Sequence, residues 1–357
     1  MFTGRRRTAS LPIDGHVIPD FFAVPAGRRA DIERLLAELS TGQTVALSTH
    51  INSDGDGCGS EAALAGLLAQ RGIRAFIVNP TPWPAMFRYL LDEGGIDDRS
   101  AKGAKALAGA DRLIVLDISD VKRLGALADA VRALPKPPLV IDHHLPGDEP
   151  PGTLHVTDIT ACATGELIFD VAQVMGAELT PAIATAIYTA MVTDTGGFRF
   201  SNTSPRCHAV AARLLGAGVD PEAMYRRIYA SVPRGRLELI RDALATLQVD
   251  AAHGLAWVEI ESGLLEKHGV SAEDLDGVAE YPRSIEGTRL ALLFRDLGHG
   301  KVKVSFRSTG VVDSNALARQ FGGGGHAKAS GALITGSMDT VRALVLAAAR
   351  EHVGVGA

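Results

Sequence analysis

Acidic residues and histidines follow several short apolar segments of this 357-residue sequence. In an open parallel sheet the carboxyl ends of the strands share one edge, so residues distant in sequence would meet there. Carboxylates and imidazoles packed at one edge are electrostatically costly unless cations neutralise them, which points to a metal site. The residues are His50, Asp54 and Asp56 after the first segment, Asp117 after another, Asp142, His143 and His144 after a third, and Asp194 after a helical stretch.

The chemistry of this set is that of oxygen and nitrogen donors without thiolate. Such donors suit divalent manganese, magnesium or cobalt better than a structural zinc site. The set is large enough for two ions, and two ions roughly 3.5–4 Å apart can activate a shared water and stabilise both oxygens of a phosphoryl displacement. Each residue alone would also suit a helix cap or a turn, so the prediction of phosphate-ester hydrolysis rests on the joint pattern.

The segments that precede these residues alternate with helical periodicity. Short apolar strands are predicted at 44–49, 74–79, 112–117 and 138–142, and a helical pattern follows each, which is typical of an α/β fold with a parallel sheet and helices on both faces. Residues 181–250 are mostly helical, and strands alternate again after Asp250, which predicts a smaller mixed α/β domain. We predict a metal-binding catalytic domain over 28–200, a helical connector over 201–250 and a substrate-binding domain over 251–352.

A glycine-rich segment in the second predicted domain is a candidate phosphate-binding loop. It consists of Gly322, Gly323, Gly324 and Gly325, followed by His326. Backbone N–H groups of such a loop can approach an anion closely, although a flexible linker has the same composition. Arg307 and Ser308, at the end of a predicted strand, would add bidentate and hydroxyl contacts to a phosphate, and His326 would contact a terminal phosphate or a nearby sugar.

Composition narrows the class of substrate and the compartment. The chain has 36 Lys and Arg against 41 Asp and Glu, a formal net charge of -5, and so lacks the basic excess that binds long nucleic acid. Its three cysteines, Cys58, Cys162 and Cys207, have neither zinc nor disulfide spacing and fit a reducing cytoplasm. No apolar run approaches roughly 18 residues, so we expect no membrane span.

Four segments resemble the motifs of the DHH phosphoesterase superfamily. They are HINSDGDGCGS, VLDISD, VIDHHLP and VTDTGGF, and the later SFRST and FGGGGHAKASG resemble the DHH-associated C-terminal substrate domain. The resemblance spans residues 44–335 and departs from the common pattern at Ser53, where proline is usual, and at Gly57, where alanine is usual. Length and order most resemble the branch of oligoribonucleases (nanoRNases), phosphatases of 3′-phosphoadenosine 5′-phosphate, and phosphodiesterases of linear or cyclic dinucleotides.

This resemblance implies roles for the individual residues. It places one divalent ion, expected to be Mn²⁺, with His50, Asp54 and a bridging Asp117, and a second ion with Asp56, Asp117, His143 and Asp194. Asp142 would orient a histidine, and His144 would face the scissile phosphate, either stabilising charge or helping to protonate the leaving oxygen. The resemblance also implies a substrate of a few nucleotides held between the two domains, and a homodimer.

Three alternatives share part of this pattern. A RecJ-type single-strand exonuclease has the same metal motifs but needs a basic channel for long strands. A manganese-dependent pyrophosphatase or exopolyphosphatase would not need the GGGGH loop beside Arg307. A non-catalytic nucleotide sensor would be expected to lack a ligand, whereas every expected position from His50 to Asp194 is occupied.

Overall fold

A computed structural model describes residues 20–275 and 277–354 of the chain. The chain forms two compact units, with the boundary between Ile228 and Tyr229. The segment 201–250, predicted as a connector, is divided by this boundary. No helix in the described ranges is long and apolar enough to cross a bilayer.

The first unit is built on a sheet that is parallel throughout the described residues. Its strands are β1 (Thr44–Ser48), β2 (Arg74–Ile77), β3 (Asp97–Asp98), β4 (Arg112–Leu116), β5 (Leu139–Asp142) and β6 (Leu154–Thr157). Their order is β3-β2-β1-β4-β5-β6, so β1, β4 and β5 are adjacent at the centre. These central strands are apolar at nearly every position because helical layers cover both faces. The edge strands β3 and β6 were not predicted.

Helices cover the first sheet on both sides. They are α1 (Ala26–Ala37), α2 (Gly55–Gln70), α3 (Arg88–Gly94), α4 (Ala128–Arg132), α5 (Thr164–Met175), α6 (Pro181–Asp194), α7 (Pro205–Gly216) and α8 (Pro221–Tyr229), with 3₁₀ segments at Ala85–Phe87, Ser100–Gly109 and Val121–Leu127. One core packs α1, α2, α5 and α6 against Val45 and Leu47. A second core packs the segments Ser100–Gly109 and Val121–Leu127 against Ala46 and Phe76. The predicted parallel α/β fold is therefore confirmed.

One predicted helix is interrupted. The periodicity of residues 121–131 predicts a continuous helix, but the segment is 3₁₀ up to Leu127 and only then becomes α4. Gly125 has a φ of 50°, and a Cβ at this position would lie 2.5 Å from Cγ2 of Ile51. The break occurs because this glycine passes directly over the loop that follows β1, where only a residue without a side chain fits.

The second unit is built on a mixed sheet. Its strands are β7 (Gln248–Asp250), β8 (Leu255–Ile260), β9 (Leu290–Asp296), β10 (Lys301–Ser308), β11 (Gly324–Gly325) and β12 (Ala329–Thr335), in the order β11-β12-β10-β9-β8-β7. Only β8 and β9 are parallel among these described pairs. The helices are α9 (Arg234–Ala245), α10 (Leu264–His268), α11 (Glu280–Arg283), α12 (Ser314–Arg319) and α13 (Met338–Gly354), with a 3₁₀ turn at Glu273–Leu275.

Strand β10 shows why the two faces of this second sheet differ. Val302, Val304 and Phe306 are buried in a core shared with α13. The alternate residues are polar and lie on the opposite face, because successive side chains of a strand point to opposite sides. That opposite face is polar along β10, whereas at β8 and β9 it carries a second apolar core in which Val258, Ile260 and Leu293 pack against α9 and α10.

Helices α2 and α6 approach closely enough that only small residues fit between them. A Cβ at Gly59 would lie 2.5 Å from the carbonyl oxygen of Ala186 and 2.8 Å from the amide nitrogen of Ala190. A Cβ at Gly55 would meet the side chain of Thr193 at 2.4 Å. Because Gly55 begins α2 and Thr193 nearly ends α6, this packing sets the start of one helix beside the end of the other.

Candidate active site

The site begins where the central strands of the first sheet end. His50 follows β1 and Asp117 follows β4, and both are almost completely buried. Nδ1 of His50 lies 2.8 Å from the carbonyl oxygen of Ile51, which turns Nε2 toward Asp117 Oδ2 at 3.4 Å and Asp54 Oδ1 at 3.7 Å. Nε2 is buried and has no hydrogen-bond partner among the described residues. A buried imidazole nitrogen facing two carboxylates is the arrangement of a metal ligand.

Two carboxylates come from the start of α2. Asp54 is the N-cap of this helix, and its Oδ1 accepts hydrogen bonds from the backbone N–H groups of Asp56 and Gly57. Asp56, 1% exposed, accepts bonds from the backbone N–H groups of Thr164 at 2.7 Å and Gly165 at 2.9 Å. These donors are the first residues of α5, so the positive end of that helix supports the Asp56 carboxylate.

His143 and Asp194 complete the group on the side of α5 and α6. Nδ1 of His143 lies 3.3 Å from the carbonyl oxygen of Ala161, and Nε2 lies 3.6–3.7 Å from oxygens of Asp56, Asp117 and Asp194. Asp194 is the last residue of α6, where the negative end of the helix disfavours a carboxylate. This placement adds to the negative potential that a cation would relieve.

Asp142 and His144 form a separate pair at the end of β5. Nδ1 of His144 lies 2.8 Å from Oδ1 of Asp142, which is 2% exposed. The ring of His143 packs edge-on against that of His144, with centroids 4.6 Å apart. The histidine that Asp142 orients is therefore His144, and an Nδ1–H donated to Asp142 leaves Nε2 of His144 free to exchange a proton.

The pKa values in the cluster show that its carboxylates lack enough neighbouring positive charge. Burial raises the pKa of Asp56 well above its ordinary value, and the charges of Asp117 and Asp194 raise it further. Burial and Asp117 also raise the pKa of Asp194 to about 6. Burial disfavours a charged imidazole, yet Asp117 and Asp54 raise the pKa of His50 to about 10. The donor set therefore fits divalent cations, which would balance carboxylates that otherwise hold protons.

Ligand atoms from three subsets of these residues lie close enough to share an ion. Within each subset the atoms are all within 4.8 Å of one another. Asp117 belongs to two of the subsets, as expected of a carboxylate between two ions. The subsets are His50, Asp54 and Asp117; Asp56, His143 and Asp194; and Asp117, His143 and His144.

In the second unit, the side chains of Arg307 and Ser308 lie on opposite faces of the sheet, because the two residues are consecutive in β10. Arg307 is half-buried and lies opposite Ala329 of β12. Ser308 is 2% exposed on the other face, and its Oγ accepts hydrogen bonds from the backbone N–H groups of Gly310 and Val312. The hydroxyl of Ser308 thus closes the turn after β10, and its prediction as a phosphate contact stays a prediction.

The predicted glycine loop is partly a strand. Gly324 and Gly325 form β11 and pair with β12, while Gly322 has a φ of 71° after α12. A Cβ at Gly323 would lie 2.2 Å from the carbonyl oxygen of Gly331, so close strand pairing explains this glycine. His326 follows in an exposed turn, with its N–H donated to Ala329 at 2.7 Å. Arg307 and the exposed glycines of β11 therefore lie on two strands that flank β12, and His326 follows β11 in the turn.

Several supporting residues were missed in the sequence. Thr164 donates its hydroxyl to Asp117 at 3.1 Å in addition to its backbone bond to Asp56. Nδ2 of Asn202 donates to the carbonyl oxygen of Cys162 at 2.8 Å and lies 3.3 Å from Oδ2 of Asp194. A threonine just before a predicted helix was the available signal for Thr164, but no local pattern distinguishes Asn202.

A buried ion network fixes α5 behind the site. Arg28 of α1 contacts Asp170 at 2.6 Å and Glu166 at 3.2 Å, and Arg206 of α7 pairs with both carboxylates. Oε2 of Glu166 also accepts a hydrogen bond from the backbone N–H of Cys162, which shortly precedes the two residues that donate to Asp56. Removing one partner of such a network is costly because it leaves a buried charge unpaired. The network therefore holds the start of α5 in place.

Carboxylates and imidazoles at the carboxyl edge of a parallel sheet form a site whose donors fit divalent metal ions and the hydrolysis of phosphate esters. The sequence also matches the family model of the DHH family, N-terminal domain, over residues 44–191, and that of the DHHA1 domain over residues 255–352. The chain belongs to the DHH family and is a phosphoesterase.

Relatives match the chain over nearly its whole length. The bifunctional oligoribonuclease and PAP phosphatase NrnA of Thermus thermophilus is 33% identical, over 92% of this chain and 96% of the relative. The protein of the same name from Bacillus subtilis is 30% identical, over 84% and 92%. An exopolyphosphatase-related protein from Bacteroides fragilis has a similar crystal structure, with a TM-score of 0.84, 26% identity and coverage of 92% and 98%.

Proposed function

We propose that this phosphoesterase hydrolyses short oligonucleotides, including nanoRNA and linear or cyclic dinucleotides, and 3′-phosphoadenosine 5′-phosphate to mononucleotides. The observation that carries the reaction class is the convergence of His50, Asp117 and His143 with three further carboxylates at one sheet edge. The two NrnA relatives support the substrate class by their names and their coverage of the chain. The net charge of -5 supports short substrates over long strands.

We assign the donors to two divalent ions, which would supply Lewis acidity and lower the pKa of water when bound. The first would be held by His50, Asp54 and Asp117. The second would be held by Asp56, Asp117, His143 and Asp194. Oxygen and imidazole donors without thiolate favour Mn²⁺, with Mg²⁺ or Co²⁺ as the alternatives.

The chain's own groups would complete the reaction. Asp142 holds His144 by Nδ1, so that a proton on Nε2 of His144 is directed at the leaving oxygen or stabilises charge on the scissile phosphate. Burial disfavours the charged ring, but Asp142 raises the pKa of His144, which favours the proton-donating form. In the second unit, Arg307, the exposed glycines of β11 and His326 would bind a substrate phosphate, with Ser308 supporting the turn.

We also propose a cytoplasmic, homodimeric enzyme. Its three cysteines, Cys58, Cys162 and Cys207, are buried and free, which fits a reducing compartment. Size-exclusion chromatography with light scattering would measure the oligomeric state of the purified chain.

A substrate panel tests the proposed function. Purified protein is assayed with Mn²⁺, Mg²⁺ or Co²⁺ on a dinucleotide, a cyclic dinucleotide, 3′-phosphoadenosine 5′-phosphate, a long single strand and polyphosphate. We expect mononucleotide release from the short substrates and none after chelation. A preference for the long strand would support the RecJ-type alternative, and a preference for polyphosphate would support the exopolyphosphatase alternative.

Tight dinucleotide binding without product would instead identify a nucleotide sensor. Asp117→Asn provides the matched inactive control, because it removes the carboxylate shared between the two groups of donors.

A further inference from the structure

A small cavity lies beside the polar side of β10, at the edge of the apolar core that contains Leu275, Ala279 and Leu293, and the glycines of β11 do not line it. It has a volume of about 100 Å³ and is enclosed between β9, β10 and the segment that leads into α11. Proteins use cavities of roughly 300–1,000 Å³ for drug-sized ligands, so this one accommodates a single small group rather than a nucleoside. The residues used below are Glu280, Arg295, Lys303, Ser305 and Arg307, all of which line it.

The charged side chains in the described lining of this cavity are mostly cationic, beside the apolar Leu275, Ala279 and Leu293. Arg295, Lys303 and Arg307 supply three positive charges, and Glu280 supplies one negative charge. Glu280 is already paired with Arg283 and is 3.8 Å from Nε of Arg307. Among the described residues, Arg295 and Lys303 form no ion pair, and Nε of Arg295 is shielded from solvent without a hydrogen-bond partner. The cavity therefore has unmet donors that suit an anion.

The sheet register brings these cations together. Lys303 of β10 lies directly opposite Arg295 of β9, so two like charges face each other on one side of the sheet. Such a cross-strand pair destabilises a sheet unless an anion lies between the charges. Ser305 and Arg307 follow on the same side of β10, at steps of roughly 6–7 Å per two residues. A row of donors therefore leads from Arg307 to the Arg295–Lys303 pair.

We propose that this cavity is a second phosphate subsite, which binds a phosphate group of the substrate that does not react. The inference rests on the proposed function, in which Arg307 contacts a substrate phosphate. Guanidinium and ammonium groups that converge on a cavity of this size match a terminal phosphate monoester. Substrates with a phosphorylated end, and those that carry two phosphates on one nucleoside, would bind more tightly than their unphosphorylated counterparts.

Steady-state kinetics on three dinucleotides test this proposal. The probes are one dinucleotide without a terminal phosphate, the same compound phosphorylated at the 5′ end, and the same compound phosphorylated at the 3′ end. The variants are Lys303→Gln and Arg295→Gln, with Lys301→Gln as the matched control, since Lys301 is exposed on the same strand and does not line the cavity. Thermal unfolding of each variant checks the fold, and the exposed Lys303 keeps the test valid if Arg295→Gln fails to fold.

We expect the wild-type KM to be about tenfold lower for one of the phosphorylated dinucleotides. Lys303→Gln and Arg295→Gln should remove this advantage while kcat and the KM for the unphosphorylated compound stay unchanged, and Lys301→Gln should match the wild type. Equal wild-type KM values for all three probes, or an equal effect of Lys301→Gln, would overturn the subsite and leave the proposed function standing. Hydrolysis of none of the three would instead reject the part of the proposed function that concerns linear dinucleotides.

Inorganic phosphate distinguishes a substrate phosphate from a free one. At the proposed subsite it should compete with the phosphorylated dinucleotide and raise its apparent KM in the wild type but not in Lys303→Gln. If phosphate instead changes kcat for the unphosphorylated dinucleotide in a manner that Lys303→Gln abolishes, the cavity is an effector site for free phosphate and the substrate subsite is wrong.

Discussion

At the residue scale, Asp117 joins the two halves of the site. It adopts a φ of 60°, a left-handed conformation that is uncommon for a residue with a side chain, although Asp tolerates it better than most. This backbone places its two oxygens 3.4 Å from His50 and 3.6 Å from His143. Local strain of this kind persists where the surrounding structure holds it and is frequent at active sites.

We therefore predict that Asp117→Asn separates activity from stability. Loss of the shared carboxylate should lower kcat by about 10³-fold, because several kcal/mol of metal-assisted stabilisation are removed. The metal-free variant should melt within a few degrees of the wild type, since loss of the Asp117 charge favours ionisation of Asp56 and Asp194 but also removes a partner of His50. Activity assays and calorimetry with a chelator measure the two effects, with the exposed Asp92→Asn as control. A retained kcat would contradict the assignment.

Glu61 is a buried acid on α2. It has no exposed surface, and its Oε2 accepts a hydrogen bond from Nδ2 of Asn79 at 2.8 Å, while Oδ1 of Asn79 accepts the N–H of Thr49 at 2.9 Å. Burial raises the pKa of Glu61 from 4.5 to about 8. Between these values the folded chain retains a proton that the unfolded chain has released, so the free energy of unfolding falls as pH rises.

Glu61→Gln should remove this pH dependence and keep the contact with Asn79. We expect the variant to gain stability over the wild type progressively from pH 5 to pH 8, by about 2–4 kcal/mol at the upper end. Urea unfolding of the first unit is measured by the fluorescence of Trp83. The measurement uses a Trp257→Phe background, so that Trp83 is the remaining tryptophan, and a chelator. The exposed Glu33→Gln on α1 is the control. A difference from the wild type that is constant with pH would show that Glu61 is ionised in the folded chain.

At the element scale, the close packing of α2 on α6 sets the distance between the carboxylates. Gly55 and Gly59 allow the two helices to approach until a Cβ would overlap the facing helix. This contact places the start of α2, with Asp54 and Asp56, beside Asp194 at the end of α6. The start of α5 then supplies two backbone donors to Asp56. Three helix ends thus determine the site together with the strand ends.

Gly59→Ala should therefore both destabilise the first unit and reduce activity. Overpacking of this kind costs about 1–3 kcal/mol, and helix displacement would move Asp194 away from Asp56. The control is Gly216→Ala on α7, where a Cβ meets nothing within 4 Å and helix propensity should leave stability unchanged or slightly raised. Urea unfolding and kcat measure the two effects. Equal stability and equal kcat of the two variants would show that the α2–α6 contact adjusts to an added methyl group.

At the scale of the whole molecule, the two units carry different chemistry. The carboxylate and imidazole cluster belongs to the first unit, whereas Arg307 and the glycines of β11 belong to the second. The family models match the two parts separately, over residues 44–191 and 255–352. Reaction and phosphate recognition are accordingly assigned to groups in different units.

Arg307→Ala should weaken substrate binding more than turnover. A charge-assisted hydrogen bond contributes about 1.5–3 kcal/mol, so we expect KM to rise by roughly 10- to 100-fold with kcat within a few-fold of the wild type. Initial-rate measurements on a dinucleotide decide between this and a direct role in the reaction. Arg319→Ala on α12 is a suitable control in the same unit. A loss of kcat as large as that of Asp117→Asn would reject the division of roles.

The sequence by itself determined the parallel fold and the residues at the ends of β1, β4 and β5, because strand periodicity is local and parallel strands share one carboxyl edge. It did not show the break at Gly125, the support of Asp194 by Asn202, or the inward turn of Ser308. Those depend on which segments pack against one another across long separations. Only the tertiary structure decided which histidine Asp142 holds and which cations face each other on β9 and β10, since register and helix contact distance are properties of the packed chain.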